Sequence, residues 1–170
     1  MGSLTPQPEE QPLDPDLPGE DVPGEAVPID RWESTRLLLL LIFVGSSSGT
    51  AIRAVIEEAH PSPPGGWPWA TFGINVVGSL LLAAILQTLA RTGDDVGWRR
   101  AARLGLGTGV LGGFTTYSTF VLEIGMLADA GRWGLSAVYG VGSAVLGIAA
   151  AGAGIWLVNR IHWSPVGQTT

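Results

Sequence analysis

No cysteine occurs anywhere in the 170 residues, which excludes disulfides and thiolate metal sites. Lysine is missing too: all nine basic residues are arginine, a bias that a GC-rich coding sequence explains without any functional role. The two histidines, His60 and His162, lie far apart near predicted helix ends and give no ligand set for zinc. No basic stripe is present, so the sequence offers no support for a nucleic-acid partner. The start of the chain has neither a basic cluster nor an apolar stretch and is not read as a signal peptide.

Charge is scarce and unevenly spread. Residues 1–33 carry nine acids against one arginine, and the rest of the chain has eight arginines against six acids. The opening "LTPQPEEQPLDPDLPGEDVPGEAVPID" has too little apolar surface to offset the entropy of ordering. Residues 1–34 are therefore expected to be a disordered, acidic, proline-rich tail, residues 35–162 the folded domain, and residues 163–170 a short C-terminal tail.

What is plentiful is apolar length. Four segments follow the tail, at about residues 37–56, 70–89, 101–127 and 135–158. Each is near the ~20 residues a bilayer crossing requires. None shows the polar face of a soluble bundle helix. Trp67 and Trp69, in the loop "HPSPPGGWPW", stand where interfacial anchors belong. The expected fold is an all-α membrane protein of four transmembrane helices. Arg31, Arg36, Arg91, Arg99, Arg100, Arg103 and Arg160 flank one membrane side, against Arg132 and the late-helix Arg53 on the other. That bias predicts both termini on the cytoplasmic side.

Polar groups at membrane depth are costly and mark candidate sites. Arg53 follows "GSSSGT" and snorkels to the interface, lines an aqueous vestibule that attracts anions, or does both. Thr71, Asn75 and Ser79 recur at i, i+4 and i+8, and so do Tyr139, Ser143 and Gly147. Asn75 is read either as glue between helices or as a donor amide on a polar track.

The third segment carries the sharpest anomaly, "GVLGGFTTYSTF" at residues 109–120. Gly112 and Gly113 are poor helix formers, and β-branched Thr115 and Thr116 follow directly. The helix is expected to break there, near its middle, exposing carbonyl oxygens that suit a small hard cation. Tyr117 and Phe120, at i and i+3, share a face, and aromatic ring edges are positive enough to line an anion path. Ser118 and Thr119 add hydroxyl donors. Glu123, one turn on, is a vestibule carboxylate or a pairing partner.

These motifs resemble the CrcB/Fluc family of fluoride channels. "GGFTTYSTF" is similar to that family's third-helix GGxTTFSTF, "TFGINVVGS" to GTLxVNxxGSF, and "GSSSGTAIR" to GGxxGAxxR, in order along the chain. The resemblance implies a protomer that dimerises antiparallel, with two fluoride pores and a structural sodium at the dimer centre. It places the sodium on the backbone carbonyls of Gly112 and Thr115. It makes Asn75, Phe120, Ser143 and Thr71 pore residues, Arg53 a vestibule arginine, and Glu123 the glutamate that follows the signature. Tyr117 departs from the pattern, since a phenylalanine is usual there; it keeps the ring edge and adds a hydroxyl. The acidic tail lies outside the pattern altogether.

The implied function is passive fluoride export, with no catalysis. The rival is a small proton-coupled multidrug-type exporter, which needs a carboxylate midway along its first helix. Glu57 comes only at the end of that helix. An antiparallel homodimer also requires one sequence to insert both ways, and seven arginines against two do not favour that. Pairing with a paralogue of opposite orientation is therefore expected beside the simpler self-paired dimer.

Overall fold

The computed structural model describes residues 31–161, and every described element is helical. The two tails and His162 otherwise lie outside those residues, although the first helix already begins inside the stretch assigned to the acidic tail. Helix α1 spans Arg31–Ala59, α2 Trp69–Thr92, and α6 Trp133–Ile161. Between α2 and α6 the chain crosses in four pieces: α3 (Trp98–Ala102), a π-helical stretch (Arg103–Leu111), α4 (Gly112–Phe114) and α5 (Ser118–Asp129). By length and composition this gives four candidate membrane spans, Thr35–Ala59, Trp69–Thr92, Trp98–Asp129 and Trp133–Ile161.

The corners follow from local chemistry. Before α2, the Gly66 amide donates to the Pro63 carbonyl (2.8 Å), and buried Pro68 precedes the first helical residue, a position its fixed φ suits. At the α2–α3 corner Gly93 has φ 127°, a left-handed conformation that side chains resist. There the Arg103 Nε donates to both Asp95 carboxylate oxygens, at 2.9 and 3.0 Å. That pairing holds the Asp95 carboxyl below the usual carboxylate range. The α5–α6 reversal closes with Gly131 N–H on the Ala128 carbonyl and Arg132 N–H on the Leu127 carbonyl, both 2.9 Å.

The spans pack as two main pairs, α1 on the π stretch and α4, and α2 with α5 on α6. The first seam is made of glycine. A Cβ on Gly45 would lie 2.6 Å from the Gly105 carbonyl oxygen and 3.0 Å from the Val110 nitrogen. On Gly49 it would strike the Val110 carbonyl, and on Gly113 the Ser46 backbone. Glycines four apart let two backbones meet where lipid supplies no hydrophobic drive to hold them together. The approach brings α1 hydroxyls onto main-chain oxygens: Ser46 Oγ donates to Gly109 O (3.4 Å) and Thr50 Oγ1 to Gly113 O (3.3 Å). On the second seam a Cβ on Gly154 would meet the Leu80 carbonyl, and Gln87 Nε2 donates to Asn159 Oδ1 at 2.8 Å.

Candidate functional site

The third span breaks, but not at its glycines. Gly112 is helical (φ −65°, ψ −36°), and the chain leaves the helix at Thr115, where ψ is 156°. The break therefore lies near the middle of the span, as expected, at the threonines of that stretch and not at its glycines. Gly113 serves packing, because it lies against α1 with no room for a Cβ. The residues that follow, not the glycines, force the turn.

Four side chains hold the break open. Asn75 on α2 clasps one peptide unit: its Nδ2 donates to the Thr116 carbonyl and its Oδ1 accepts from the Thr116 amide, both at 2.9 Å. Thr116 then acts as a cap for α5, its Oγ1 accepting from the Thr119 amide at 3.2 Å. Thr50 and the Arg53 Nε (3.4 Å) both donate to the Gly113 carbonyl. Among the carbonyls of residues 112–115, two lose their helical donors to side chains. In an unbroken helix the Thr116 amide would close on Gly112 O, and the Thr119 amide on Thr115 O. Both amides are instead turned to side chains, so the Gly112 and Thr115 carbonyls lose their helical donors.

Beside the break runs an open groove of about 580 Å³ between α2, the third span and α6. Its lining includes Asn75, Ser79, Thr115, Tyr117, Phe120 and Ser143. Tyr117 stands 78% exposed on it, with its ring centroid 6.3 Å from that of Phe120. Phe120 continues inward to Tyr139 at 5.3 Å. Ser143 Oγ is buried and has no hydrogen-bond partner, a hydroxyl left available at the groove wall.

Not all of the expected pore residues meet there. Thr71, 1% exposed, sits a turn away, and its Oγ1 donates to Glu123 Oε1 at 2.7 Å. Fully buried Tyr139 donates to the other carboxylate oxygen at 2.6 Å. Glu123 is thus a pairing partner for two hydroxyls at one end of the aromatic row. Ser118 and Thr119 do not line the groove; their hydroxyls lie 3.3 and 3.1 Å from Thr116 Oγ1 at the start of α5. Arg53 stands on the α1 side, bound to the Gly113 carbonyl and paired with Glu57 at 3.2 Å. Reading the sequence alone misses Thr116 as a cap, although a hydroxyl three residues before an amide is the usual signal. It also misses Tyr139 as the partner of Glu123, since sequence spacing on α6 says nothing about α5.

No cluster of three or more His, Cys, Asp or Glu side chains suited to a metal occurs among the described residues. A cation here would have to use carbonyl oxygens, and those of Gly112 and Thr115 are of the right kind.

Residues 40–155 match the family described as CrcB-like protein, Camphor Resistance (CrcB). The chain is 43% identical over 122 residues to Fluoride-specific ion channel FluC 1 of Cutibacterium acnes, covering 72% of this chain and 82% of that relative. It is 44% identical over 119 residues to Fluoride-specific ion channel FluC 2 of Leifsonia xyli, covering 70% and 81%. With Fluoride-specific ion channel FluC of Novosphingobium aromaticivorans it shares 39% over 123 residues, covering 71% and 94%. The family match spans every membrane segment except the outer ends of the first and last, so this four-span membrane protein belongs to the CrcB-like family.

Proposed function

We propose that this chain is a fluoride-specific ion channel, passing fluoride out of the cytoplasm down its electrochemical gradient. The observation that carries the reading is the broken third span, with two carbonyls relieved of their amides beside a groove lined by an amide, hydroxyls and ring edges. Fluoride crosses into an acidified cell's cytoplasm as neutral HF, dissociates, and is trapped as the anion. A passive pore lets membrane voltage drive it out, and no catalytic step is needed.

The pore must replace the tight hydration of a small anion with donors and positive ring edges. Asn75 keeps one Nδ2 hydrogen beyond its bond to Thr116, and Ser143 offers an unpartnered hydroxyl. Tyr117 and Phe120 supply ring edges, and the Tyr117 hydroxyl adds a donor. A sodium ion fits the donor chemistry of the Gly112 and Thr115 carbonyls, which would hold it. When bound, it would offset the dipoles of carbonyls that lipid cannot solvate.

The same carbonyls support a dimer. Gly112 is exposed on this protomer, and a polar backbone group at membrane depth calls for a protein neighbour rather than lipid. An antiparallel partner would bring a second pair of carbonyls to the ion. The arginine bias favours a paralogue of opposite orientation over self-pairing, with both termini of this chain cytoplasmic. For the multidrug-type alternative, α1 offers little: Glu57 and Glu58 sit in its last turn, and Glu57 is paired with Arg53. Proteoliposomes separate the two readings. Fluoride efflux independent of a proton gradient is expected, and proton-coupled uptake of organic cations without fluoride efflux would overturn the proposal.

A further inference from the structure

A second pocket, of about 230 Å³, lies far from the break, at the α2–α3 corner. Its apolar wall is Leu86, Leu89 and Ala90 of the last turns of α2, and its polar wall is Arg99 and Arg103 with Asp95. The two arginines differ in state. Arg103 is matched to the Asp95 carboxylate, its Nη2 2.7 Å from Oδ2. Arg99 makes no ion pair among the described residues. Among the described residues its only hydrogen bond is a long one, from Nη1 to the Asp94 carbonyl at 3.5 Å, and its Nε is buried with no partner.

A guanidinium whose Nε donor is withdrawn from water and left unpaired is an incomplete site. Gly93 helps to make it: the Arg99 guanidinium lies where a Cβ on Gly93 would come within 3.1 Å of Cζ. Arg91 and Arg100, both exposed, add cations that also lack an ion pair among the described residues. Trp98, 63% exposed, sits beside Arg99, whose Cζ is 5.5 Å from its ring centre. Tryptophan and arginine at the end of a membrane span mark the level of the lipid headgroups. Below them the pocket wall turns apolar, toward the acyl chains.

We propose that this corner binds the headgroup of an anionic phospholipid, with Arg99 as the phosphate ligand and the Leu86–Leu89–Ala90 wall against the first methylenes. The fork of Arg99 suits phosphate oxygens, and its Nε gains the partner that the protein does not supply. Asp95 does not oppose the anion, because Arg103 already matches it. The two-part wall selects a lipid over free phosphate, since a soluble ion would leave the apolar half unfilled. The site is independent of the fluoride reading, and its test measures no flux.

Native mass spectrometry of the full-length protein in detergent is the test, with phosphatidylglycerol, phosphatidylcholine or inorganic phosphate added at equal concentration. Phosphatidylglycerol adducts are expected to persist where phosphatidylcholine and phosphate leave none. Arg99→Gln should weaken phosphatidylglycerol binding by about fivefold, the worth of one interfacial arginine. Arg160→Gln, which removes a cation stacked on Trp156 away from the pocket, should leave binding unchanged. Equal retention of the two lipids, equal retention of phosphate, or an Arg99→Gln protein that binds like the wild type would each overturn the proposal. Should Arg99→Gln fail to fold, the comparison of the two lipids on the wild type decides alone.

Discussion

Removing the Asn75 side chain would strip both partners from one peptide unit, the amide and carbonyl of Thr116. Two backbone groups left unsatisfied in a lipid setting cost about 1–3 kcal/mol each. Asn75→Ala is therefore expected to lower the thermal unfolding midpoint in detergent as well as abolish fluoride flux. An unchanged midpoint with flux lost would assign Asn75 to the ion alone; unchanged flux would remove it from the pathway. Tyr139→Phe is a cleaner single-atom deletion. It takes one of two hydroxyl donors from the Glu123 carboxylate while keeping the ring that meets Phe120 and Trp67. A charge-assisted hydrogen bond of this kind is worth about 1.5–3 kcal/mol. Thermal unfolding of the variant should show a loss of that order, and no loss would mean that Thr71 alone satisfies the carboxylate.

Among the elements, the third span and α1 form the unit that makes the break. Gly49→Ala would drive a methyl group into the Val110 carbonyl, a backbone neighbour that cannot swing aside. Overpacking of that sort costs about 1–3 kcal/mol. Gly73→Ala on α2, where no atom lies within 4 Å of a built Cβ, is the matched control and should cost nothing measurable in the same unfolding assay. Equal effects at both sites would mean that the glycine seam is not what holds α1. The Asp95–Arg103 tether at the α2–α3 corner adds a pH signature. Its carboxyl is held below the usual range, so its contribution is fully present above the unfolded-state value and fades as pH falls through the folded one. Unfolding midpoints of wild type and Asp95→Asn should differ at neutral pH and converge in acid; divergence in acid would contradict the assignment.

The same elements show what a sequence reveals and what it hides. Four spans were legible because apolar length is a local property, and a break in the third was legible because threonine and glycine sit where a membrane helix should have neither. Which of its residues leaves the helix was not. Gly112 and Gly113 are poor helix formers by propensity, yet they stay helical, and α1 lies where a side chain on Gly113 would be. The turn falls at Thr115 because Asn75, forty-one residues away, captures the next amide. Thr71 shares a helical face with Asn75, but Glu123 draws it into a separate cluster. Which member of a face reaches the groove depends on the neighbouring helix, and spacing along one chain does not encode that.

For the whole molecule, Gly112 is exposed on the protomer, and the proposed partner would cover it. The arginine distribution predicts one orientation in the membrane, with both termini cytoplasmic. Tags at either end, probed from each side of sealed vesicles after expression of this chain alone, should be reached from the cytoplasmic side only. Tags reached from both sides, together with full flux from the single chain, would establish a self-paired dimer and remove the need for a paralogue. The central claim, a fluoride pore built beside the broken span, is tested most directly with a fluoride electrode. Vesicles loaded with fluoride and holding this protein, alone or with an oppositely oriented paralogue, should release it when a potassium ionophore relieves the charge, while chloride stays inside. Vesicles that remain as tight to fluoride as protein-free ones in both preparations would contradict the account.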